Sequence, residues 1–281
     1  MKNFRTFSIS LSWLWLGFFV LAPTLLLILT SVLSKGDTSL VRVDFTFHNY
    51  IENFNWVYVH VFLRSLKMAF IVTVVSLFIA FPFALIIART PPRLRNFLLM
   101  LNVIPFWTNS IITTYAIMII VKTKGLLNSA LLGLGIIHQP LHILYSPLAV
   151  YIGLIYNLLP FMILPLYARL EKLDDRVLEA AQDLGANRWQ ILYRIVIPMS
   201  MPGIVAGCLF VFLPAMTLFY VPNILGGAKS YLLGNLIQDQ FLTNQNWPFG
   251  ASLSVALTIF AAALIWLYWY SAKNTNKDEL L

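Results

Sequence analysis

Residues 179–198 of the chain read EAAQDLGANRWQILYRIVIP and stand between two long apolar segments. The stretch is polar and rich in helix-forming residues, with Gly185 in its first half and an Ile195-x-Ile197-Pro198 end. A helical segment of this length, exposed between two membrane spans, has the form that a groove on a soluble partner can grip. The stretch therefore predicts a membrane protein that presents a loop to a partner.

The composition of the whole chain is that of an integral membrane protein. Of its 281 residues, 59% are hydrophobic and 11% are charged, and the mean hydropathy is +0.80. A soluble domain carries about 25% charged residues, so the deficit indicates a chain embedded in lipid. The net charge of +8 would suggest nucleic acid in a polar chain, but here the basic residues stand mostly at the ends of apolar runs, where they set topology. We therefore expect no nucleic-acid partner.

Six apolar segments are each long enough to cross a bilayer, which takes about 20 helical residues. They contain no acidic residue, and Lys67, at the edge of the second, is their only charged residue. Within the fifth, Gly203-x-x-x-Gly207 predicts a close approach to another helix. The predicted fold is all-α, a polytopic membrane helix bundle that forms a single transmembrane domain over residues 1–281. The predicted spans are about 12–33, 66–88, 98–121, 147–168, 201–221 and 248–270, and a loop at 169–200 joins the fourth span to the fifth.

The basic residues also predict the orientation of the chain. With the N-terminus inside, 12 of the 19 Lys and Arg residues fall on the inner side, although the outer loops are longer. Short inner loops of membrane proteins carry an excess of Lys and Arg. Both termini and the loop at 169–200 are therefore expected in the cytosol.

Local signals within this loop predict two short helices. Asp174 or Asp175 can cap the start of the first helix, and Gly185 suits the left-handed position that ends it. Asn187 can cap the second helix, which leads into the fifth span at Pro198. Two short helices joined by a glycine bend would form a compact projection that fits the groove of a partner.

The Glu-Ala-Ala residues have physical roles in that hypothesis. Ala180 and Ala181 allow the backbone of a partner to approach closely, and Glu179 can pair with a basic residue of the partner or cap its own helix. The alternative is an ordinary amphipathic loop that lies on the membrane surface.

The full spacing of the pattern resembles the EAA loop of permease subunits of ATP-binding-cassette (ABC) importers. Nearly the whole chain is also similar to the PotB-type permease subunits of spermidine/putrescine ABC importers, and the similarity is weakest in the first span and the external loops. Ile197 stands where the family usually has Leu before the final Pro, a near-isosteric change. The EAA pattern is typical of these importers at large, whereas the PFWTNS and WPFG stretches point toward polyamines. The matching stretches are IPFWTNSII (104–112), KLDDRVLEAAQDLGA (172–186), IPMSMPGIVAGCLFVFLPAM (197–216), LFYV (218–221) and NWPFGA (246–251).

The resemblance implies the type I fold of ABC importer permeases and a location in a bacterial inner membrane. It also implies that the EAA loop couples the motion of the ATPase to alternating access. Besides membrane lipid, it implies a second and different permease subunit, a dimer of cytosolic ABC ATPases, an external substrate-binding protein and a polyamine substrate. An importer of another small solute and a membrane receptor or scaffold with a partner-binding loop remain as alternatives. The coupling residues that match the family motif are Glu179, Ala180, Ala181, Gly185, Ile195 and Pro198.

Polyamines are flexible polycations, and a transit site for them needs carboxylates or aromatic faces. The spans contain no carboxylate, so this subunit by itself is not expected to hold a cation tightly. Polar side chains in hydrocarbon usually face the bundle interior, although each could instead only hydrogen-bond between helices. Asn102, Asn109 and Thr113, at i, i+7 and i+11, would share one face of the third span. The pathway candidates are Asn102, Trp107, Asn109, Thr113, Tyr115, Tyr156, Asn157 and Tyr220.

No catalytic, metal or cofactor site is predicted. The sequence contains no G-x-x-x-x-G-K-[ST] motif, so we do not expect the chain to bind ATP through a P-loop, and ATP hydrolysis is expected in a separate subunit. His138 and His142 are four residues apart, but Pro140 disfavours the helix that would align them as metal ligands. The single cysteine, Cys208, excludes an intrachain disulfide framework.

Overall fold

The computed structural model describes residues 2–36, 40–227 and 230–278, and these residues are mostly helical. Two short antiparallel strands, β1 (Leu33–Ser34) and β2 (Arg42–Phe45), add a small hairpin that the all-α prediction did not include. The helices are α1 (Lys2–Ser31), α2 (His48–Asn53), α3 (Trp56–Arg89), α4 (Pro92–Trp107), α5 (Ser110–Val121), α6 (Leu126–Gly133), α7 (Pro147–Leu170), α8 (Asp175–Asp183), α9 (Arg188–Ile191), α10 (Ile197–Thr217), α11 (Leu233–Leu242) and α12 (Trp247–Asp278).

Six helical segments of the described chain are long and apolar enough to cross a membrane, as the sequence predicts. Several of them extend well beyond the predicted apolar runs, because helical hydrogen bonding continues through flanking polar turns. The second, for example, begins at Trp56 and the fifth at Arg188. The segments are Ser12–Ser31, Trp56–Arg89, Ser110–Gly133, Pro147–Leu170, Arg188–Thr217 and Trp247–Tyr270.

The prediction of one continuous third span over 98–121 is wrong, because the chain breaks between α4 and α5. Pro105 has no N–H to donate within the last turn of α4 and so weakens that turn. Thr108 then takes an extended backbone conformation, and its hydroxyl donates a hydrogen bond to the Pro105 carbonyl (2.8 Å). In this region the segment that is long and apolar enough to cross a membrane is Ser110–Gly133, which comprises α5 and α6, and α4 precedes it as a separate helix.

Asn109 has a different role from the one predicted. Its side-chain oxygen accepts a hydrogen bond from the Ile111 N–H (2.8 Å), so Asn109 is the N-cap of α5 rather than an interior residue of a longer helix. Because Asn102 lies in α4 and Thr113 in α5, the three polar residues do not share one helix face, and that prediction is also wrong.

The fifth span ends before its predicted limit at residue 221. The Leu218 N–H still donates to the Pro214 carbonyl (2.9 Å), but the backbone of Leu218 is extended and α10 stops at Thr217. Tyr220 therefore lies beyond α10, in the connection to a π-helical segment at Pro222–Gly226.

Two glycines bring α10 into close contact with α7. A Cβ atom added to Gly207 would lie 2.7 Å from the Met162 sulfur and 3.2 Å from the Met162 carbonyl oxygen. A Cβ added to Gly203 would lie 2.9 Å from the Pro165 carbonyl oxygen and from the Arg169 Cβ. The small-residue spacing that the sequence shows thus serves helix packing.

The described chain forms two compact units, one of residues up to His60 with Leu236–Leu264, and the other of the remaining residues. Within the first unit, the Asn49 side-chain amide donates to the carbonyls of Ser31 (3.1 Å) and Leu33 (2.8 Å). These bonds fasten α2 to the end of α1 and to the hairpin. The helices α4, α5, α7, α8, α9 and α10 all belong to the second unit.

Replacing Gly207 with Leu should destabilise the protein by about 1–3 kcal/mol, because the new side chain must enter space that Met162 and the α7 backbone already fill. The measurement is the thermal unfolding midpoint of the purified chain in detergent. Gly17→Leu is the matched control, since a Cβ added at that helical glycine meets nothing within 4 Å. Equal midpoints for the two variants would contradict the close packing of α7 and α10.

Candidate functional site

The segment between α7 and α10 forms a two-helix projection, as the sequence predicts. The Asp174 side chain accepts a hydrogen bond from the Arg176 N–H (3.0 Å) and caps α8. Gly185 ends that helix with a φ of +84°, a left-handed conformation that favours glycine. Asn187 and Gln190 then form a reciprocal capping box, with two hydrogen bonds of 2.8 Å, that starts α9. We call residues 174–193 the knob.

The knob exposes apolar side chains together with its Glu-Ala-Ala residues. Helix α8 has no buried residue, and the Glu179 side chain is exposed. Leu184 is 89% exposed, and the rings of Trp189 and Tyr193 are also exposed and stack at a centroid distance of 6.3 Å. Large exposed apolar residues grouped in this way mark a surface that contacts another protein or the membrane.

The knob is joined to α10 through a π-helical segment at Leu192–Val196, which contains Ile195. In this segment the Ile197 N–H bonds to the Leu192 carbonyl, five residues earlier. Pro198 is the second residue of α10 and has no backbone N–H to donate to the preceding turn. The chain is therefore helical throughout from α9 into α10.

A cavity of about 310 Å³ lies where the α4–α5 junction, α7 and the end of α10 meet. Four of the predicted pathway residues, Thr113, Tyr156, Asn157 and Tyr220, line it. Within the described part of the chain, no Asp, Glu, Lys or Arg is among the lining residues. The lining consists of Pro105, Thr108, Ser110, Thr113, Tyr156, Asn157, Leu158, Pro160, Phe161, Pro214, Leu218 and Tyr220.

Prolines from three different helices meet at this cavity. Pro105 belongs to α4, Pro160 to α7 and Pro214 to α10. Each lacks the N–H that would bond to the carbonyl four residues earlier, so three carbonyls lose their helical partner. One of these carbonyls is that of Tyr156, which itself lines the cavity. Backbone acceptors without a helical partner suit a region that receives hydrogen-bond donors.

The side chains of the cavity offer neutral hydrogen-bonding groups and aromatic faces. The hydroxyl oxygens of Thr108 and Thr113 lie 3.2 Å apart, and the Asn157 amide nitrogen donates to the Gly153 carbonyl (2.8 Å) in its own helix. The Tyr156 ring is half-exposed. Such a lining attracts a cation weakly, through ring faces and oxygen lone pairs.

The other four predicted pathway residues do not line this cavity, because the break after α4 turns their part of the chain away from a common face. Asn109 caps α5, and the buried amide nitrogen of Asn102 has no hydrogen-bond partner among the described residues. Tyr115 is half-exposed on α5. Trp107 is exposed in a separate apolar depression with Leu99, Met100, Val103 and Ile104.

Eight of the twelve lining residues were not predicted from the sequence. The signal that points to three of them is a proline within an apolar run, at 105, 160 and 214. Such a residue marks the place where a membrane helix bends and frees a carbonyl. Leu158, Phe161 and Leu218 carry no comparable signal, because apolar residues of the same kind stand throughout the spans.

Replacing Asn109 with Ala should lower the free energy of unfolding by about 1 kcal/mol, because the Ile111 N–H loses its acceptor at the start of α5. The free energy is obtained from denaturant unfolding of the purified chain in mixed micelles. Asn109→Ser keeps a capping oxygen and is the control. If the Ala and Ser variants unfold alike, the cap does not define the start of α5.

The comparisons with known proteins agree with this architecture. The family described as binding-protein-dependent transport system inner membrane component matches residues 80–276. The chain is 50% identical over 263 residues to the spermidine/putrescine transport system permease protein PotB of Salmonella typhimurium (strain SL1344), and the match covers 94% of this chain and 92% of that one. It is 46% identical over 276 residues to the permease protein PotB of Haemophilus influenzae (strain ATCC 51907 / DSM 11121 / KW20 / Rd), covering 98% of this chain and 96% of that one.

The fold also matches a chain of the crystal structure of a bacterial alginate ABC transporter in complex with an alginate pentasaccharide-bound periplasmic protein. The TM-score is 0.76 at 15% sequence identity, and the match covers 95% of this chain and 93% of that one. At this identity the likeness concerns the fold alone. The predicted fold class, that of type I ABC importer permeases, is confirmed.

Proposed function

Because the chain belongs to the family of binding-protein-dependent transport system inner membrane components, we propose that it is the permease subunit of an ATP-driven importer of the polyamines spermidine and putrescine. The observation that carries the proposal is the 50% identity, over 94% of the chain, to a permease named for spermidine/putrescine transport. The polytopic fold and the exposed knob support the same function. No catalytic role is assigned to the chain, which acts as a transport subunit.

The knob is the part of this subunit that receives mechanical work. Its exposed Glu179 and its apolar side chains, Leu184 and Trp189, form a compact surface that fits a groove on a dimeric cytosolic ABC ATPase. The ATPase binds and hydrolyses ATP, for which this chain has no P-loop motif. Since α9 continues through the π-helical segment into α10, a displacement of the knob displaces a membrane-spanning helix.

The cavity forms one wall of the path that the polyamine takes. Its tyrosine rings and hydroxyl oxygens hold an ammonium group loosely, which suits a site that a substrate must leave as readily as it enters. A second, different permease subunit completes the path as the other half of a heterodimer. Alternating access follows when the two halves rock between outward-open and inward-open states.

The distribution of Lys and Arg supports the proposed orientation. Both termini and the knob lie in the cytosol, because that side carries 12 of the 19 basic residues. Substrate then arrives from the other side of the membrane, delivered by a binding protein. The family's description as a binding-protein-dependent system supports this partner.

One observation favours a second candidate cargo. The cavity lining contains no Asp or Glu among its described residues, and such a lining suits a neutral solute at least as well as a polycation. An importer of another small solute is therefore the competing hypothesis, and it differs from the first only in what passes through the path.

Gly185→Leu should lower uptake about tenfold while ATP hydrolysis persists, because a side chain at this left-handed bend alters the surface and angle of the knob. The measurement is uptake of radiolabelled spermidine by proteoliposomes that contain both permeases and the ATPase, with ATP and binding protein supplied.

Gly135→Leu is the matched control for this variant. Gly135 also has a positive φ, +70°, and an added Cβ there also meets nothing within 4 Å, but it lies outside the knob. Equal uptake by the two variants would overturn the coupling role. No spermidine uptake by the wild-type complex, despite ATP hydrolysis and binding-protein docking, would instead assign the cargo to another solute.

Tyr156→Ala should lower the rate of spermidine uptake about two- to fivefold, since it removes an aromatic face from the cavity wall. The control is Tyr115→Ala, because Tyr115 is 49% exposed, close to the 48% of Tyr156, and does not line the cavity. Uptake rates are compared at equal amounts of assembled complex. A larger loss in the Tyr115 variant would exclude the cavity as the path.

A further inference from the structure

We propose that Arg95 and Glu171 form a latch through which movement of the knob reaches the cavity wall along α4. Arg95 and Glu171 are then positioning residues for transport, and the inference rests on the function proposed above. The latch provides a second mechanical route from the knob, separate from the continuous helix that joins the knob to α10.

The latch connects the first turn of α4 to the end of α7. The Arg95 Nη1 atom lies 2.9 Å from the Glu171 Oε1 atom. Glu171 is the C-cap of α7, and the residues from 171 to 174 are all that separate α7 from α8. A displacement of α8 must therefore move Glu171, and with it the partner of Arg95.

The Arg95 side of the latch is partly withdrawn from solvent. The Arg95 side chain is 25% exposed and that of Glu171 is 36% exposed. The Nε atom of Arg95 is buried and has no hydrogen-bond partner among the described residues, so Glu171 supplies the ionic contact of this guanidinium. Separating this half-buried guanidinium from its partner costs more than separating two fully exposed charges.

A second ion pair lies beside the latch. Arg89, the last residue of α3, pairs with Asp175, the first residue of α8. Since Asp175 is 72% exposed, this pair contributes little by itself. The pair does place the start of α8 next to the turn between α3 and α4, where Pro91 and Pro92 restrict the backbone.

Within this subunit, helix α4 is packed less tightly than α7. None of its described side chains is buried, in contrast to α7, ten of whose residues are buried. Ten residues separate Arg95 from Pro105, which corresponds to about 15 Å along a helix. Pro105 and, just beyond α4, Thr108 line the cavity, so a shift at the latch moves the cavity wall.

The test uses charge reversal and its rescue in the complete complex. Arg95→Glu and Glu171→Arg should each lower the amount of spermidine imported per ATP hydrolysed, by about two- to thirtyfold. The double variant Arg95→Glu/Glu171→Arg restores the pair with reversed polarity, and the ratio should return to within about twofold of the wild type. A purely structural contact would lower assembly and ATP hydrolysis together and leave this ratio unchanged.

The chain offers a matched control in the pair of Arg42 and Asp44, whose side chains are both exposed (2.6 Å). Arg42→Glu reverses one charge of an ion pair that lies outside the knob, the latch and the cavity. It should leave the ratio of uptake to ATP hydrolysis unchanged. Arg95→Gln is the second latch variant for the case in which reversed charge prevents assembly, since it removes the ionic contact without introducing repulsion.

A measurement that needs no substrate tests the latch independently of the polyamine proposal. An environment-sensitive fluorophore on Thr108→Cys, in a Cys208→Ser background, reports the cavity wall when ATP and vanadate are added to the complex. The fluorescence change should be lost in Arg95→Glu and restored in the double variant. A full change in Arg95→Glu, or an unchanged ratio of uptake to hydrolysis, overturns the latch. If the wild-type complex shows the fluorescence change but imports no spermidine, only the polyamine proposal is overturned.

Discussion

Every backbone N–H and C=O group in the hydrocarbon of a membrane needs a hydrogen-bond partner, and this requirement organises the chain. Most of the spanning helices meet it by their own internal hydrogen bonds. Pro105, Pro160 and Pro214 interrupt that pattern in three helices, and all three line the same cavity. These three prolines thus lie around one cavity, and one of the carbonyls that they free, that of Tyr156, belongs to a residue of the cavity lining. Four further prolines, Pro23, Pro82, Pro165 and Pro202, lie within helices but do not line it.

The two sides of that cavity differ in how firmly they are held. Gly203 and Gly207 bring α10 into contact with α7, and side chains buried along α7 fill the interface. Helix α4 has no buried side chain among those described, and the ion pair of Arg95 with Glu171 fixes its beginning. The tight packing favours joint movement of α7 and α10, and the proposed latch depends on the looser, polar attachment of α4.

A neutral cavity wall has a consequence for how transport is distributed among subunits. Tyrosine rings and hydroxyl groups recognise a cation weakly. In the proposed function, discrimination between solutes therefore falls to the binding protein and to the second permease. In the proposed function, this subunit contributes a low-affinity surface and the mechanical connection to the ATPase. Both are compatible with a chain whose spans carry almost no charge, because a charged group in hydrocarbon is costly.

The sequence by itself determined the features that depend only on residues close together along the chain. Six apolar runs predicted six spans, and Asp174, Gly185 and Asn187 predicted the caps and the bend of the knob, because capping is decided within a few residues. The break between α4 and α5 escaped prediction, since a proline within an apolar run is compatible with a continuous membrane helix.

Only the tertiary structure decided which side chains meet. Tyr156 and Tyr115 are the same residue type in equally apolar surroundings, and the sequence nominated both for the pathway. Tyr156 lines the cavity and Tyr115 does not, because the packing of α4, α5, α7 and α10 sets the direction of each helix face. The pairing of Arg95 with Glu171 was equally hidden, since it joins helices that lie far apart along the chain and depends on how those helices pack.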